Sequence, residues 1–256
     1  MAKSVILRTY GGMGNQLFQI LYGRSLSKKY NLKLKEIHII RYPYLIQKIR
    51  RSKLIKCSGK PGFFEEIFSN LRIPVLLTRY LNRESVHIKL FGNIYVDSYL
   101  QEKKHFLIFE EEIIREVLKE FIFELNLNKK KHESLVHLRL TDFFENKEDA
   151  INHALRRLKQ CKEKSDIISD DIKVLENIKI ANILNKYNHK VVDTSNMTAD
   201  KIVQFISSYK NVETNNSTLA FWAALLSKSK IKITNANTNK KLLNLYNYFY
   251  KILWGK

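Results

Sequence analysis

Only two cysteines, three prolines and eight glycines occur in the 256 residues. Cys57 and Cys161 stand more than a hundred positions apart, which excludes a disulfide framework and the closely spaced thiols of a zinc site. With so little proline and glycine, collagen-like and low-complexity chains are excluded as well. Long apolar runs are also missing. The longest, Leu219 to Leu226, has eight residues, against the roughly 18 that a membrane-spanning helix needs. The opening MAKSVILRTYGG is charged and then apolar, but Gly11 and Gly12 end it too early for a signal peptide. Acids are scarce where bases are dense: residues 1 to 60 hold fourteen Lys and Arg against the single Glu36.

That imbalance places +13 of the net +20 in the first 60 residues. Such an excess attracts nucleic acid, an anionic membrane face or phosphorylated substrates, and composition does not choose among them. A genome poor in G and C would produce part of it, since Lys, Asn and Ile are all abundant. What is present is a globular chain. A hydrophobic content of 45% and an aromatic content of 11% exclude disorder, and the length suits one to two domains.

The order of patterns is that of an α/β protein with parallel sheets. An apolar strand from Ser4 to Arg8 runs into Gly11-Gly12-Met13-Gly14, after which Leu17/Leu21, Phe18/Tyr22 and Tyr22/Leu26 recur at helical spacing. Leu32 to Ile40 alternates as a second strand. Residues 41 to 90, with Pro43, Pro61 and Pro74, give no clear pattern. Beyond them the periodicity predicts helices over 110–125, 147–162, 172–178 and 199–209, an apolar helix ending at Leu226, and an aromatic-rich terminal helix. Strands are predicted at 135–140, 166–169, 191–192 and 230–234. The boundary between two lobes falls between residues 100 and 134 and is placed at 115/116.

Four constellations carry chemistry, each with an ordinary alternative. Gly11-Gly12-Met13-Gly14-Asn15-Gln16 joins a strand to a helix, where backbone N–H groups can meet an anion. A dinucleotide fingerprint would need a third glycine where Leu17 stands. The alternative is a tight turn. His137 and Arg139, two apart on one strand face, lead to Asp142 at the carboxyl end of a strand, where open sheets bind ligands; the alternative is a salt-bridged strand end. Ser169-Asp170-Asp171 precedes a helix, so an Asp there either caps it or accepts two hydrogen bonds from a guanine edge. Asn215-Asn216-Ser217-Thr218 opens the apolar helix, as an N-cap or as a phosphate cradle, with Phe221 and Trp222 as core.

In combination and in this order, G-G-M-G-N-Q-L-F-Q, D-S-Y-L-Q-E-K-K-H-F (97–106), V-H-L-R-L-T-D, I-S-D-D-I-K and N-S-T-L-A-F-W-A-A-L-L resemble the α-1,2-fucosyltransferase family of bacterial type, glycosyltransferase family 11. Asn152-His153-Ala154-Leu155 falls where that family has a Y-Y-x-x-A-I helix. The resemblance spans nearly the whole chain apart from residues 41 to 90. Leu140 replaces the second Arg of the family's H-x-R-R-x-D, Thr141 a common Gly, and Phe221 the first Trp of its N-S-T-F-S-W-W.

The resemblance implies a GT-B-like fold of two Rossmann-like lobes with parallel sheets: residues 1–115 on the acceptor side, 116–256 for the nucleotide sugar. It implies inverting transfer of L-fucose from GDP-fucose to the 2-hydroxyl of a galactose-containing oligosaccharide, lipid-linked or free, in O-antigen or lipopolysaccharide biosynthesis. No metal or cofactor is expected. Arg139 is implied on the β-phosphate, His137 on guanosine or as base, Asp142 beside Arg139 or the acceptor, and Asp170 on the guanine edge. Gly12, Gly14, Asn15, Gln16, Asn216, Ser217 and Thr218 complete the donor contacts. With no anchor in sight, a cytoplasmic enzyme held peripherally on the anionic inner membrane face is expected. The rival readings are a silent GDP-sugar-binding protein and a basic nucleic-acid-binding protein, for which no known motif appears.

Overall fold

A computed structural model describes residues 3–39, 54–55, 59–73, 76–77, 86–127, 132–141, 144, 146–234 and 239–255. The chain forms two compact units. The first comprises residues 1–125 and returns to include 244–256; the second comprises 126–243. The boundary at 125/126 follows the end of a helix, whereas 115/116 lies inside it.

In the first unit β1 (Ser4–Thr9) is buried along its whole length, because both faces of the sheet are covered. It pairs in parallel with β2 (Lys33–His38) on one side and β4 (Asn93–Val96) on the other. The edge strand β3 (His87–Leu90) runs antiparallel to β4, giving the order β2-β1-β4-β3. Phe91 and Gly92, both at positive φ (48° and 75°), make the two-residue turn between β3 and β4. Helix α1 (Met13–Tyr30) lies so close to the sheet that a methyl on Gly23 would come within 2.9 Å of Leu7 Cδ2 and 3.2 Å of Leu34 Cδ1. Helix α2 (Phe63–Asn70) sends Phe68 to the opposite face, onto a cluster of Ile6, Ile37, Ile88 and Tyr95.

A 3-10 turn (Lys103–Phe106) leads to α3 (Glu111–Leu125), which buries Ile114, Val117, Leu118 and Phe121. Arg24 of α1 joins it by ion pairs to Glu120 (3.0 Å) and Glu124 (2.9 Å).

The second unit is a five-stranded, wholly parallel sheet in the order β7-β6-β5-β8-β9. Its strands are β5 (His132–Leu138), β6 (Asp166–Ser169), β7 (Lys190–Val191), β8 (Tyr209–Thr214) and β9 (Lys230–Ile233). Register pairs His137 with Ile168 and Thr214. Helix α4 (Lys147–Gln160) packs Ala150, Ala154 and Leu158 on the Val136, Leu138 and Leu140 face. Helices α5 (Ile172–Leu175), α6 (Ile178–Lys186), α7 (Ala199–Ser207) and α8 (Thr218–Leu226) complete the layers. The terminal helix α9 (Asn239–Trp254) ends in the first unit, with Phe249 edge-on to Phe106 at 4.9 Å and the Ile252 carbonyl accepting from Arg115 Nε at 2.7 Å.

The sequence pattern and the structure differ at four places. Helix α2 and the β3–β4 hairpin lie in or next to the stretch that gave no pattern. Helix α6 continues beyond a short α5 after Asn177 caps it. Strand β8 begins at Tyr209, where the pattern still read helix, because Ser208 closes α7 one residue earlier.

Candidate functional site

In a doubly wound sheet the crevice lies where the strand order reverses, outside the carboxyl ends of the strands. In the second unit β6 and β7 lie to one side of β5 and β8 and β9 to the other, so the reversal falls between β5 and β8. The loops leaving these two strands carry Arg139 and Asn215.

Asn215 is 2% exposed and grips the Arg139 peptide from both sides. Its Oδ1 accepts from Arg139 N at 2.7 Å, and its Nδ2 donates to Arg139 O at 2.8 Å. The next two residues are held by Asp170. Leu140 N donates to Oδ1 at 2.6 Å, and Thr141 Oγ1 to Oδ2 at 2.7 Å. Three consecutive residues after β5 are thus fixed by the loops after β6 and β8. The Leu140 side chain turns into the core formed with Ala150 and Ala154, which accounts for a leucine where the resembled family has arginine.

Both Asp170 oxygens, expected on a guanine edge, hold the loop in this structure, each through one bond to it. Asp171 caps α5, accepting from Lys173 N at 3.1 Å. Ser217 caps α8, accepting from Ala220 N at 3.2 Å, and Asn216 enters that turn at φ 64°. Ser217 is buried, Asn216 and Thr218 are half-buried, and Phe221 and Trp222 are core.

His137 is buried on β5. Burial, and after it the Arg139 charge, pushes its pKa down to about 4. It is therefore neutral at pH 7 and a weak proton acceptor. Its Nδ1 and the Oγ1 of its register partner Thr214 are both enclosed without a hydrogen-bond partner among the described residues.

In the first unit the order reverses between β1 and β4, and the glycine loop leaves β1 there. Gln19 ties the two loops together. Its Oε1 accepts from Tyr10 N at 3.1 Å, and its Nε2 donates to Ser98 O at 3.2 Å. Gln101 Nε2 donates to Asn15 Oδ1 at 2.7 Å, and Gln16 Nε2 to Gly11 O at 2.7 Å. Gly11 has φ +78°, where a side chain would be strained. Gly12 differs. It has ordinary backbone angles (φ −64°), and a methyl there would meet nothing within 4 Å. Packing does not demand a glycine at 12; open space lies over it, beside the start of α1, which Gly12 cannot cap with a side chain.

The structure gathers the expected residues into two groups. Gly12, Gly14, Asn15 and Gln16 lie at the carboxyl edge of the first sheet. His137, Arg139, Asp170, Asn216, Ser217 and Thr218 lie at that of the second. Asp142 falls outside the described residues. Asn215 and Gln19 were missed as positioning residues, although each stands inside a motif that was singled out. Their signal was an amide side chain one step from a strand end or nearly two turns into a helix. Among the described residues no three His, Cys, Asp or Glu side chains cluster so as to hold a metal ion, and no helix is long and apolar enough to cross a membrane.

No family model and no curated protein matches the chain. Solved structures do. The fucosyltransferase NodZ from Bradyrhizobium is 14% identical with a TM-score of 0.50, over 92% of this chain and 96% of that one. A NodZ α-1,6-fucosyltransferase co-crystallised with GDP is 14% identical with a TM-score of 0.47, over 88% and 93%. POFUT1 in complex with GDP is 11% identical with a TM-score of 0.43, over 91% and 98%. The fold is α/β of the GT-B class, with two Rossmann-like units.

Proposed function

We propose that this chain is an inverting glycosyltransferase that moves L-fucose from GDP-β-L-fucose to the 2-hydroxyl of a galactose-type residue in a bacterial surface glycan, without a metal ion. One observation carries the reading: Arg139 is presented at the switch point of a parallel sheet on a backbone clamped by Asn215 and Asp170. The fold shared with the NodZ fucosyltransferase and the ordered resemblance to α-1,2-fucosyltransferases support it.

As the bond from the anomeric carbon to the β-phosphate breaks, negative charge develops on the diphosphate, and preorganised donors at that point lower the barrier. Arg139 supplies a charge-assisted contact worth about 1.5–3 kcal/mol, and the N–H groups at the start of α8 add to it. Neutral His137 serves the uncharged guanosine portion. Asp170, besides holding the loop, is the reader of the guanine edge in this reading. Gly12, with its open space, lets the donor or acceptor approach the backbone of the first unit.

The test is a panel of nucleotide sugars and galactosides incubated with the protein, with and without chelator, and read by mass spectrometry. Fucosylated galactoside formed equally in both conditions is the expected result. Product from another donor, or loss of product with chelator, refutes the corresponding part. Arg139→Ala is expected to weaken GDP binding at least tenfold; an unchanged Kd would remove Arg139 from the donor site. Leu140, turned into the core in place of a second arginine, favours one alternative, a GDP-sugar-binding protein that transfers nothing. Such a protein would bind GDP and leave GDP-fucose intact with every acceptor.

The basic first 60 residues point to work in the cytoplasm against the anionic inner membrane face, where a lipid-linked acceptor is presented. Exposed Phe63 and Phe64 on α2 supply apolar surface in the same unit.

A further inference from the structure

Just below the Asn215 clamp, the second sheet encloses two polar side-chain atoms side by side. His137 on β5 and Thr214 on β8 are register partners, so their side chains leave the sheet on the same face. It is the face opposite Val136, Leu138 and Leu140, which pack with α4. His137 is 8% exposed and Thr214 1%. His137 Nδ1 and Thr214 Oγ1 are both enclosed, and neither has a hydrogen-bond partner among the described residues. The nearby backbone is already engaged, since Thr214 O accepts from Thr234 N at 2.9 Å and from Thr234 Oγ1 at 3.2 Å. A buried donor or acceptor whose bond is not made carries its whole desolvation cost, and here two such atoms stand on adjoining strands. Neighbouring strands lie about 4.8 Å apart. That is too far for one direct hydrogen bond, but two bonds of about 2.8 Å meeting at a water oxygen span about 4.6 Å. Enclosed polar atoms of this kind hold water, where an apolar void stays dry.

We infer that one buried water molecule joins His137 Nδ1 to Thr214 Oγ1, and that Thr214 acts through it as a positioning residue for His137. The hydrogen bonds close with the imidazole in either neutral tautomer. A water both gives and takes hydrogens, and so does the Thr214 hydroxyl. Where Nδ1 accepts, the water donates to it; where Nδ1 carries the proton, the water accepts. Burial keeps the ring neutral at pH 7, so a neutral bridge suffices. The bridge commits Nδ1 and leaves Nε2 as the ring nitrogen for a ligand. It also crosses the switch point next to the clamp, because Thr214 precedes Asn215 and His137 stands two residues before Arg139. The carboxyl ends of β5 and β8 are thus tied twice, once through water and once by the two Asn215 bonds. The water follows from the second sheet alone, whereas the positioning role rests on the reading of His137 as a donor contact.

A crystal structure of the wild type that shows ordered water reads the bridge directly. One density peak within hydrogen-bond distance of both atoms is expected; no peak, or a peak touching only one of them, overturns it. Thr214→Val keeps the shape and removes the hydroxyl, and its effect on stability has opposite signs in the two cases. With the water in place, the variant takes away one of its partners and the urea midpoint falls. Without it, the variant replaces an orphaned hydroxyl by a methyl group, and a midpoint that rises or stays overturns the bridge. Calorimetric titration with GDP reads the positioning role. Thr214→Val is expected to weaken GDP binding about threefold to tenfold, the value of one neutral hydrogen bond. Thr214→Ser, which keeps the hydroxyl, is expected to bind GDP within about twofold of the wild type. Wild-type affinity in Thr214→Val, or an equal loss in Thr214→Ser, overturns the role of Thr214. Should the wild type bind no GDP, the donor reading fails and the positioning role falls with it. The bridge is then still decided by the density and by the sign of the midpoint shift.

Discussion

Replacing Asn215 by Ala removes both bonds that hold the Arg139 peptide. The site is 2% exposed, so Arg139 N and Arg139 O are left without these partners in a space that admits little water. Each orphaned group costs about 1–3 kcal/mol. Allowing one to be recovered by a water entering the vacated volume, the variant is expected to lose about 1–3 kcal/mol of stability. The second effect is on function. With the clamp gone, the Asp170 bond to Leu140 N still holds the following residue, but the Arg139 backbone has lost the two bonds from Asn215. A charge-assisted contact of about 1.5–3 kcal/mol that loses half its value corresponds to a fall of roughly fourfold to twelvefold in GDP affinity.

Asn215→Asp separates the two effects. It keeps an acceptor for Arg139 N and sets a carboxylate oxygen against Arg139 O, so one bond survives and one becomes repulsive. Urea unfolding and calorimetric titration with GDP, on wild type, Asn215→Ala and Asn215→Asp, give both quantities. Wild-type GDP affinity in a destabilised Asn215→Ala would show that the clamp serves folding alone. A stability change below about 0.5 kcal/mol would show that the two bonds are replaceable, and the argument for a preorganised Arg139 would fall.

Three further outcomes can be checked. Gly12→Ala is expected to leave the urea midpoint unchanged, since a methyl meets nothing there, and to weaken donor or acceptor binding at least severalfold; an unaltered KM for both substrates would mean the open space is not used. His137 and His153 both have pKa values pushed down to about 4, chiefly by burial. The unfolded chain therefore binds more protons between about pH 6.5 and 4. Their contribution, of order a few kcal/mol, is complete above pH 6.5 and declines as pH falls through that window. A stability curve flat from pH 7 to 4.5 would contradict it, and His137→Gln should flatten it in part. Finally, binding to vesicles is expected to require anionic lipid, to weaken with salt, and to fall in Phe63→Ser/Phe64→Ser; equal binding to neutral vesicles would count against the electrostatic account.

Legibility in the sequence followed burial. Ser4 to Leu26 could be read because the β1–α1 unit is enclosed almost throughout, and its apolar spacing is that of one strand and one helix. The β3–β4 hairpin could not, since Phe91 sits at a positive φ that no pattern of apolar residues announces. Strand β8 was blurred by Tyr209, whose side chain serves helix-like and strand-like patterns equally until Ser208 is seen to close α7. At the candidate site, residue types at strand ends pointed to the carboxyl edge of each sheet, which is where those residues lie in the structure. The partners of those residues were hidden, because the Asn215 clamp joins positions 76 apart in the chain. The hydrogen bond from Thr9 Oγ1 to Glu36 Oε1 (2.6 Å) was hidden for the same reason. It arises from the parallel register of β1 and β2, which fixes Thr9 opposite His38 only after folding.

The return of α9 to the first unit sets an order of assembly on the ribosome. The unit synthesised first lacks Phe249 and the Ile252 carbonyl until residues 244–256 emerge. At about 5–20 residues per second, the intervening second unit takes roughly 6–24 s to synthesise. Residues 126–243 can therefore close their core while the amino-terminal half waits with an open flank. A chain cut short after residue 243 would carry its lesion at the far end of the sequence, in the half that was made first.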